Sequence, residues 1–202
     1  MKNSDNWYNS SIFRSFCSSW NLPVYRKLKD WLKPGSNVLD VGCGSGEFLI
    51  DCSEKIAQGT GLELSSKLIE QAKIKSSKLN ISNLTFNQMD FLNWQENQKL
   101  NTITFIFVLH EIDPLKREEL LMKALDLAET VIISEYRTPQ PLNPAGLLNW
   151  LAEALTAKEH YKNFREFHSV RWLNNFIADN QVNVLDCNLL YSGSYQLLKL
   201  SR

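Results

Sequence analysis

The chain of 202 residues lacks the features that mark several specialised classes of protein. Its four cysteines form no CxxC pair and no regular spacing, which argues against a zinc site and against a disulfide framework. No window approaches eighteen consecutive apolar residues, and the opening residues MKNSDNWYNSS have neither the charged start nor the apolar stretch of a signal peptide. We therefore expect a cytoplasmic protein without membrane association.

An excess of charge of one sign is also missing. Lysine plus arginine and aspartate plus glutamate both total 22, so the formal net charge is zero. Such a chain has no overall field that would draw it to nucleic acid, and we expect no nucleic-acid partner. The length suits a single domain over residues 1–202, and we expect a monomer or a homodimer.

Short β-rich runs alternate with helical patterns through the middle of the chain, as in βαβ units. The predicted strands cover residues 36–41, 59–63, 83–89, 101–106, 130–136, 182–190 and 195–200. The predicted helices cover residues 21–32, 46–57, 65–79, 114–128 and 168–180. Only YSGS separates the last two strands, so they should pair as an antiparallel hairpin. The pattern predicts an α/β fold with a Rossmann-like, doubly wound seven-stranded sheet, mostly parallel, with helices on both faces.

The stretch VLDVGCGSGEF at 38–48 ends a strand and turns through Gly42, Gly44 and Gly46 into a helix. This arrangement presents backbone N–H groups at the carboxyl edge of the sheet, where open α/β sheets bind ligands. Glu63 closes the next strand and is suited to the hydroxyls of a ribose. Asp40 would repel a pyrophosphate, and the spacing is GxGxG rather than GxGxxG. Both features argue against a nicotinamide dinucleotide as the ligand and favour a ligand with a cationic group or hydroxyls.

Four segments together resemble the class I S-adenosylmethionine-dependent methyltransferases. They are LDVGCGSG, GLELS, QMDFL and FVLHEI, and the last resembles the VLHHI segment of the small-molecule subgroup (methyltransferase-domain type 11/12-like). The resemblance covers roughly residues 24–136 and implies S-adenosyl-L-methionine as cofactor, with S-adenosyl-L-homocysteine as product.

Carried over by position, the resemblance implies a set of cofactor-binding residues. They are Asp40, Gly42, Cys43, Gly44, Gly46, Glu63, Leu64, Asp90, Phe91 and Phe105. Asp40 would lie near the methionine amino end and Glu63 on the ribose, whereas Leu64 and Asp90 would contact the adenine. Phe105 or Ile106, at the end of the fourth strand, would face the methyl group. Two residues have an alternative role, since Asp90 is also placed to cap a short turn and Phe91 to pack in the core.

Fewer residues of the sequence indicate where the methyl acceptor would bind. His110 and Glu111 are candidate catalytic residues, because a hydroxyl or phenol acceptor needs a base, although His110 is equally a locally bonded histidine at a helix start. Two aromatic segments, 1–33 and 138–168, should cap a small, aromatic or apolar substrate for O- or C-methylation. The substrate candidates are Tyr8, His160, Tyr161 and His168. We found no ligand set for a metal ion.

Two other interpretations stay open at this stage. A non-catalytic module could keep the fold and use the aromatic face to hold a protein partner. An NAD-dependent oxidoreductase is the less favoured alternative, because of the glycine spacing and Asp40.

Overall fold

The computed structural model describes residues 11–96, 100–156 and 158–202, with side chains from residue 21 onward. Within these ranges the chain forms one seven-stranded sheet in the order β3-β2-β1-β4-β5-β7-β6. The strands are β1 (Asn37–Val41), β2 (Gln58–Glu63), β3 (Leu84–Gln88), β4 (Leu100–Ile106), β5 (Ala128–Tyr136), β6 (Asn183–Leu190) and β7 (Tyr195–Ser201). The first five strands run parallel, and β7 is antiparallel to β5 and β6. The predicted fold class is confirmed.

Seven helices connect and cover these strands within the described residues. They are α1 (Ser11–Trp31), α2 (Glu47–Cys52), α3 (Ser66–Lys78), α4 (Pro114–Leu127), α5 (Pro144–Ala154), α6 (Lys158–Ser169) and α7 (Trp172–Asp179), with a short 3-10 helix at Phe91–Asn93. Ser65 and Asp113 cap α3 and α4 through their side chains, as their positions before the helical patterns indicate.

Several helix boundaries predicted from the sequence were wrong. The first helix was predicted from 21, whereas α1 covers Ser11–Trp31 of the described residues, and α2 ends at Cys52 rather than at 57. No helix or strand was predicted between residues 145 and 167, but this segment forms α5 and most of α6. His168 therefore lies in α6, and α7 begins four residues later, because Arg171 adopts a left-handed conformation that separates the two helices.

Two apolar clusters lie on opposite faces of the sheet. One joins alternate strand residues such as Leu39 and Ile103 to Leu121 of α4, Phe167 of α6 and Phe176 of α7. The other packs α1, α2 and α3 on the opposite face; its members include Val24, Leu28, Phe48, Leu49, Ile69 and Ala72. Helices on both faces are what a parallel sheet needs, since neither of its faces can meet water.

The strand order reverses between β1 and β4, which lie side by side. In open α/β sheets a crevice forms outside the carboxyl ends of the strands at such a switch point. The glycine loop that follows β1 and the segment that follows β4 therefore meet at one edge of the sheet. This edge carries the candidate site.

Candidate active site

The glycine loop joins the end of β1 to α2. Gly42 has a φ of 72°, and a Cβ at this position would lie 2.4 Å from Cγ2 of Val108 in the segment after β4. Gly44 has a φ of 54°, but a Cβ there would meet no atom within 4 Å. Both backbones are in the left-handed region that favours glycine. The loop is therefore packed against the protein at Gly42 and open to a ligand at Gly44.

Glu63 lies at the open side of this loop. Its Oε1 accepts hydrogen bonds from the backbone N–H groups of Leu64, at 2.7 Å, and Ser65, at 2.9 Å. Its Oε2 accepts one from the N–H of Gly44 at 3.3 Å. The structure thus brings the acid at the end of β2 next to the open glycine, although the two are nineteen residues apart in the chain.

Asp40 is buried near the end of β1, with 2% of its surface exposed. Burial raises its pKa to about 7, against a hydrogen bond from the hydroxyl of Thr104, 2.6 Å from Oδ1, which lowers it. The negative charges of Glu63 and Glu47 raise the pKa further. The carboxyl is therefore poised to ionise near neutral pH, and a cation bound nearby would favour the ionised form.

Cys43 and Gly46 hold the loop on the sheet. The thiol of Cys43 covers Gly61, where a Cβ would lie 2.6 Å from its Sγ. Burial raises the pKa of this thiol, so that it stays neutral. A Cβ at Gly46 would lie 2.8 Å from the ring of Phe86 in β3. The side chain of Cys43 and the lack of one at Gly46 thus serve the packing of the loop.

The remaining residues of the predicted cofactor set are placed unequally. Leu64 is 68% exposed beside Glu63. Oδ1 of Asp90 accepts a hydrogen bond from the N–H of Leu92 at 2.9 Å and caps the 3-10 helix, the alternative role considered above. Phe91 and Phe105 are buried and pack edge to face at 6.1 Å. Phe105 has no exposed surface and packs in the core, whereas Ile106, the alternative at the end of β4, is only partly buried.

A second group of polar residues includes His110, in the segment after β4, and Glu135, near the end of β5. His110 is 2% exposed, and its Nδ1 lies 2.8 Å from Oε1 of Glu135. Oε2 of Glu135 accepts the backbone N–H of His110 at 3.2 Å. Burial alone would lower the pKa of His110, but the charge and hydrogen bond of Glu135, with the charges of Glu153 and Glu111, raise it to about 9.

His160 of α6 and Glu153 of α5 complete this group. Nε2 of His160 lies 2.6 Å from Oε2 of Glu153, whose Oε1 accepts the hydroxyl of Tyr136 at 2.7 Å. Burial raises the pKa of Glu153, but the bonds from His160 and Tyr136 and the charge of His110 outweigh burial and lower it. We call the five residues His110, Glu111, Glu135, Glu153 and His160 the His/Glu cluster.

The sequence predicted His110, Glu111 and His160 as site residues, but not Glu135, Glu153 and Tyr136. Two signals were available. Glu135 is the last residue but one of a buried strand, TVIISEY, much as Glu63 ends β2. Glu153 is the only charged residue in the apolar stretch PAGLLNWLAEAL at 144–155. An acid in such a context needs a buried partner.

The other substrate candidates lie farther out on the cap. Tyr161 and His168 line a groove of about 1070 Å³ with Trp150 and Gln140. Burial lowers the pKa of His168 to about 4, and its Nε2 has no hydrogen-bond partner among the described residues. Tyr8 lies outside the described residues. The described helices include none that is long and apolar enough to cross a membrane.

A family model described as a methyltransferase domain matches residues 32–188, most of the chain. The chain therefore belongs to this family of methyltransferase domains, and its predicted class, S-adenosylmethionine-dependent methyltransferase, is confirmed. S-adenosyl-L-methionine as the cofactor goes with that class.

Curated relatives match shorter stretches. The carboxy-S-adenosyl-L-methionine synthase of Helicobacter pylori (strain Shi470) is 31% identical over 103 residues, 50% of this chain and 42% of that protein. A 23S rRNA (uracil(747)-C(5))-methyltransferase of Vibrio vulnificus is 32% identical over 78 residues, 37% of this chain and 20% of that protein. The chain thus spans less than half the length of these relatives.

Solved structures share the fold over a longer stretch. The magnesium protoporphyrin IX methyltransferase of Synechocystis PCC 6803, solved with S-adenosylhomocysteine bound, superposes with a TM-score of 0.66 at 19% identity. The superposition covers 94% of this chain and 84% of that chain. At this identity the likeness establishes the fold.

Proposed function

We propose that this protein transfers a methyl group from S-adenosyl-L-methionine to a small molecule that enters beneath α5 and α6. The observation that carries the proposal is the open space at Gly44 beside the carboxylate of Glu63. It is a cradle that a side chain would fill, and it lies at the switch point of the sheet.

The residues of this cradle fit the cofactor. The carboxylate of Glu63 suits two ribose hydroxyls, and exposed Leu64 offers an apolar surface beside it. Asp40, below the loop, favours a positive charge above it. When bound, the cofactor supplies an electrophilic methyl group on a sulfonium. The chain's own task is to align the acceptor with that methyl group, and alignment of reactants is worth on the order of 7 to 11 kcal/mol in favourable cases.

The surroundings of the His/Glu cluster support a small acceptor with a polar atom and an apolar body. Tyr136 and Phe164 pack edge to face at 5.5 Å, and Trp150 packs on Phe164 at 4.9 Å. His110 lies against both Tyr136 and Phe164. Rings around a few polar groups are typical of pockets for small molecules. The polar cluster favours O-methylation over C-methylation.

The charges around the groove on α6 argue against nucleic acid as the acceptor. Lys158, Lys162 and Arg165 alternate with Glu159 and Glu166 along this wall. Phosphate backbones are held by clusters of basic residues without interleaved acids. We therefore keep the prediction of a small-molecule partner. A cytoplasmic location and a monomeric or dimeric state also remain predictions.

Calorimetric titration with S-adenosyl-L-homocysteine tests the cofactor half of the proposal. Glu63→Ala removes an acceptor of charge-assisted hydrogen bonds, and we expect its affinity to fall by about 1.5 to 3 kcal/mol, roughly 10- to 150-fold. Glu70→Ala, an exposed acid on α3, is the matched control and should bind like the unaltered protein. No binding to the unaltered protein at millimolar cofactor would contradict the proposal.

The acceptor half needs a separate assay with methyl-labelled cofactor. Label should enter the small-molecule fraction of a cell extract, and Glu63→Ala should suppress it. Label that enters only RNA would overturn the small-molecule acceptor while leaving methyl transfer in place. Label that enters neither fraction, in a protein that binds the cofactor, would favour the non-catalytic module.

A further inference from the structure

Two imidazoles and three carboxylates meet in the His/Glu cluster, and the proposed methyl transfer does not explain this excess of negative charge. Even with both imidazoles protonated, the five side chains carry one more negative than positive charge. Glu135 has no exposed surface and Glu153 is 3% exposed, whereas the side chain of Glu111 is 48% exposed. The two buried carboxylates are matched by the two imidazoles, and the surplus charge lies on Glu111, which faces both imidazoles and solvent. Buried charges are normally paired or coordinate metal ions.

The distances from Glu111 to the two imidazoles suit a shared ion better than direct hydrogen bonds. Nε2 of His110 lies 3.8 Å from Oε1 of Glu111, and Nδ1 of His160 lies 3.8 Å from Oε2 of Glu111. Both separations are too long for a hydrogen bond. Ligand atoms about 2.1 Å from one ion lie about 3.4 Å apart at the tetrahedral angle. One ligand atom from each of the three residues lies within 4.8 Å of the other two.

Each imidazole is also oriented by a buried carboxylate on its other nitrogen. Oε1 of Glu135 lies 2.8 Å from Nδ1 of His110, and Oε2 of Glu153 lies 2.6 Å from Nε2 of His160. A carboxylate accepts the proton of one ring nitrogen and turns the other nitrogen towards the ligand position, as at many metal sites. The cluster contains this arrangement twice, facing Glu111 from both sides.

The two halves of the cluster are held in place by the surrounding structure. The amide of Asn163 in α6 donates to the backbone carbonyl of Glu111 at 2.9 Å. Buried Arg117 of α4 donates to the carbonyls of Leu109 and Asn163, both at 2.8 Å, and also pairs with Glu166. These bonds fix α6, which carries His160, against the segment that carries His110.

We propose that His110, His160 and Glu111 bind a divalent first-row transition-metal ion, of which Zn²⁺ is the simplest case. Two imidazoles and one carboxylate form a ligand set that suits zinc and leaves a coordination position open. Glu135 and Glu153 are positioning residues, and Tyr136 orients Glu153 in turn. This site departs from the expectation, drawn from the sequence, that the protein has no metal ligands.

The open position gives the ion a role at the acceptor side. Val108 covers Gly42 of the cofactor loop, and His110 lies two residues further along the same segment. An oxygen of the acceptor bound to the ion would be held on this segment and polarised by the positive charge. This role rests on the proposed function, whereas the binding of the ion does not.

Titration of the chelator-treated full chain with Zn²⁺ tests the site, with Co²⁺ and its visible spectrum as a second probe. We expect one ion per chain and a Co²⁺ spectrum with nitrogen and oxygen ligands in a site of low symmetry. His160→Gln and Glu111→Gln should each weaken Zn²⁺ binding by about 100-fold or more, since loss of an outer residue alone costs roughly 10- to 100-fold. The side chains of His160 and Glu111 are partly exposed, so we expect both variants to fold, and circular dichroism checks that they do.

The chain provides a matched control, since His168 is its third histidine. It lies on the same helix as His160 but is not part of the three-residue group, so His168→Gln should bind Zn²⁺ as the unaltered protein does. Absence of binding, or binding that survives both His160→Gln and His110→Gln, would overturn the site.

Titration of the same samples with S-adenosyl-L-homocysteine separates the two proposals. Cofactor binding without metal binding would contradict the metal site and leave methyl transfer in place. Metal binding without cofactor binding would contradict the proposed function and leave the metal site in place.

Discussion

The proposed cofactor side, at the glycine loop, and the proposed acceptor side, at the His/Glu cluster, are built in different ways. The cofactor side uses the ends of neighbouring parallel strands, with Asp40, Gly44 and Glu63 within 24 residues of one another in the chain. The His/Glu cluster draws on four separate segments, at 110–111, 135, 153 and 160. On the first side, each acid lies at or near the end of a parallel strand, so both acids lie at the same edge of the sheet.

The difference shows how each side depends on the rest of the fold. The glycine loop is held by β1, β2, the segment after β4 and, at Gly46, by Phe86 of β3 and Ala72 of α3. The His/Glu cluster exists only if α5 and α6 dock over the carboxyl ends of β4 and β5. Changes that loosen the cap should therefore disable the acceptor side and leave the cofactor side working.

Arg117→Ala should have the largest effect on the docking of the cap, and so on the difference between the two sides. The guanidinium is fully buried, bonds to Leu109, Asn163 and Glu166, and packs on the rings of Phe167 and Trp172. Its loss leaves buried carbonyls unpaired, and we expect the free energy of unfolding to fall by about 3 to 5 kcal/mol in denaturant titrations.

Lys116→Ala, an exposed neighbour on α4, is the matched control and should change the free energy of unfolding by less than about 0.5 kcal/mol. Arg117→Ala protein that is still folded should bind S-adenosyl-L-homocysteine nearly as before. A large loss of cofactor affinity with little loss of stability would mean that Arg117 acts on the cofactor side instead.

Asp40→Asn tests the electrostatics of the cofactor side. Because burial raises the pKa of Asp40 from 3.8 to about 7, the folded protein keeps a proton that the unfolded chain has lost at pH values between these two. The contribution of Asp40 to stability therefore falls as pH rises through this window and is level above it. The variant should gain on the order of 3 kcal/mol relative to the unaltered protein between about pH 4 and pH 7.

The measurement is the difference in unfolding free energy between Asp40→Asn and the unaltered protein across this pH range. Asn keeps the oxygen that accepts from Thr104, so the hydrogen bond is matched. A difference that does not change with pH would show that Asp40 ionises normally in the folded protein.

A pair of glycine substitutions, with smaller expected effects on stability, tests whether the space at Gly44 is needed for cofactor binding. Gly44 and Gly35 both have a positive φ, of 54° and 72°, and a Cβ at either position would meet no atom within 4 Å. Gly44→Ala and Gly35→Ala should each destabilise the fold by about 1 kcal/mol, because of the left-handed backbone. Only Gly44→Ala should lower the affinity for S-adenosyl-L-homocysteine, by more than about tenfold, since only that methyl group would enter the cradle.

Calorimetry on both variants, with thermal unfolding alongside, checks this result. Equal losses of affinity would mean that strain in the backbone, rather than occupation of the cradle, weakens binding.

Three features could be predicted from the sequence alone. They are the succession of seven strands along the chain, the closing hairpin, and the glycine loop with its neighbouring acids. These features depend on alternation, turn residues and spacing over a few positions, which are local properties of the chain. The helices α5 and α6 were not predicted, because the prolines at 139, 141 and 144 are typical of a loop and because buried Glu153 and His168 interrupt the apolar faces of these helices.

Only the tertiary structure decided that His110 meets Glu135, Glu153 and His160, and that Phe105 packs in the core. Which side chains face one another across fifty residues depends on how α6 docks on α4, through Arg117 and Asn163. A charged residue within an apolar stretch, such as Glu153, indicates that it has a buried partner. Its partner is decided by packing, because the cost of an unpaired buried charge is met by whichever group the fold brings within reach.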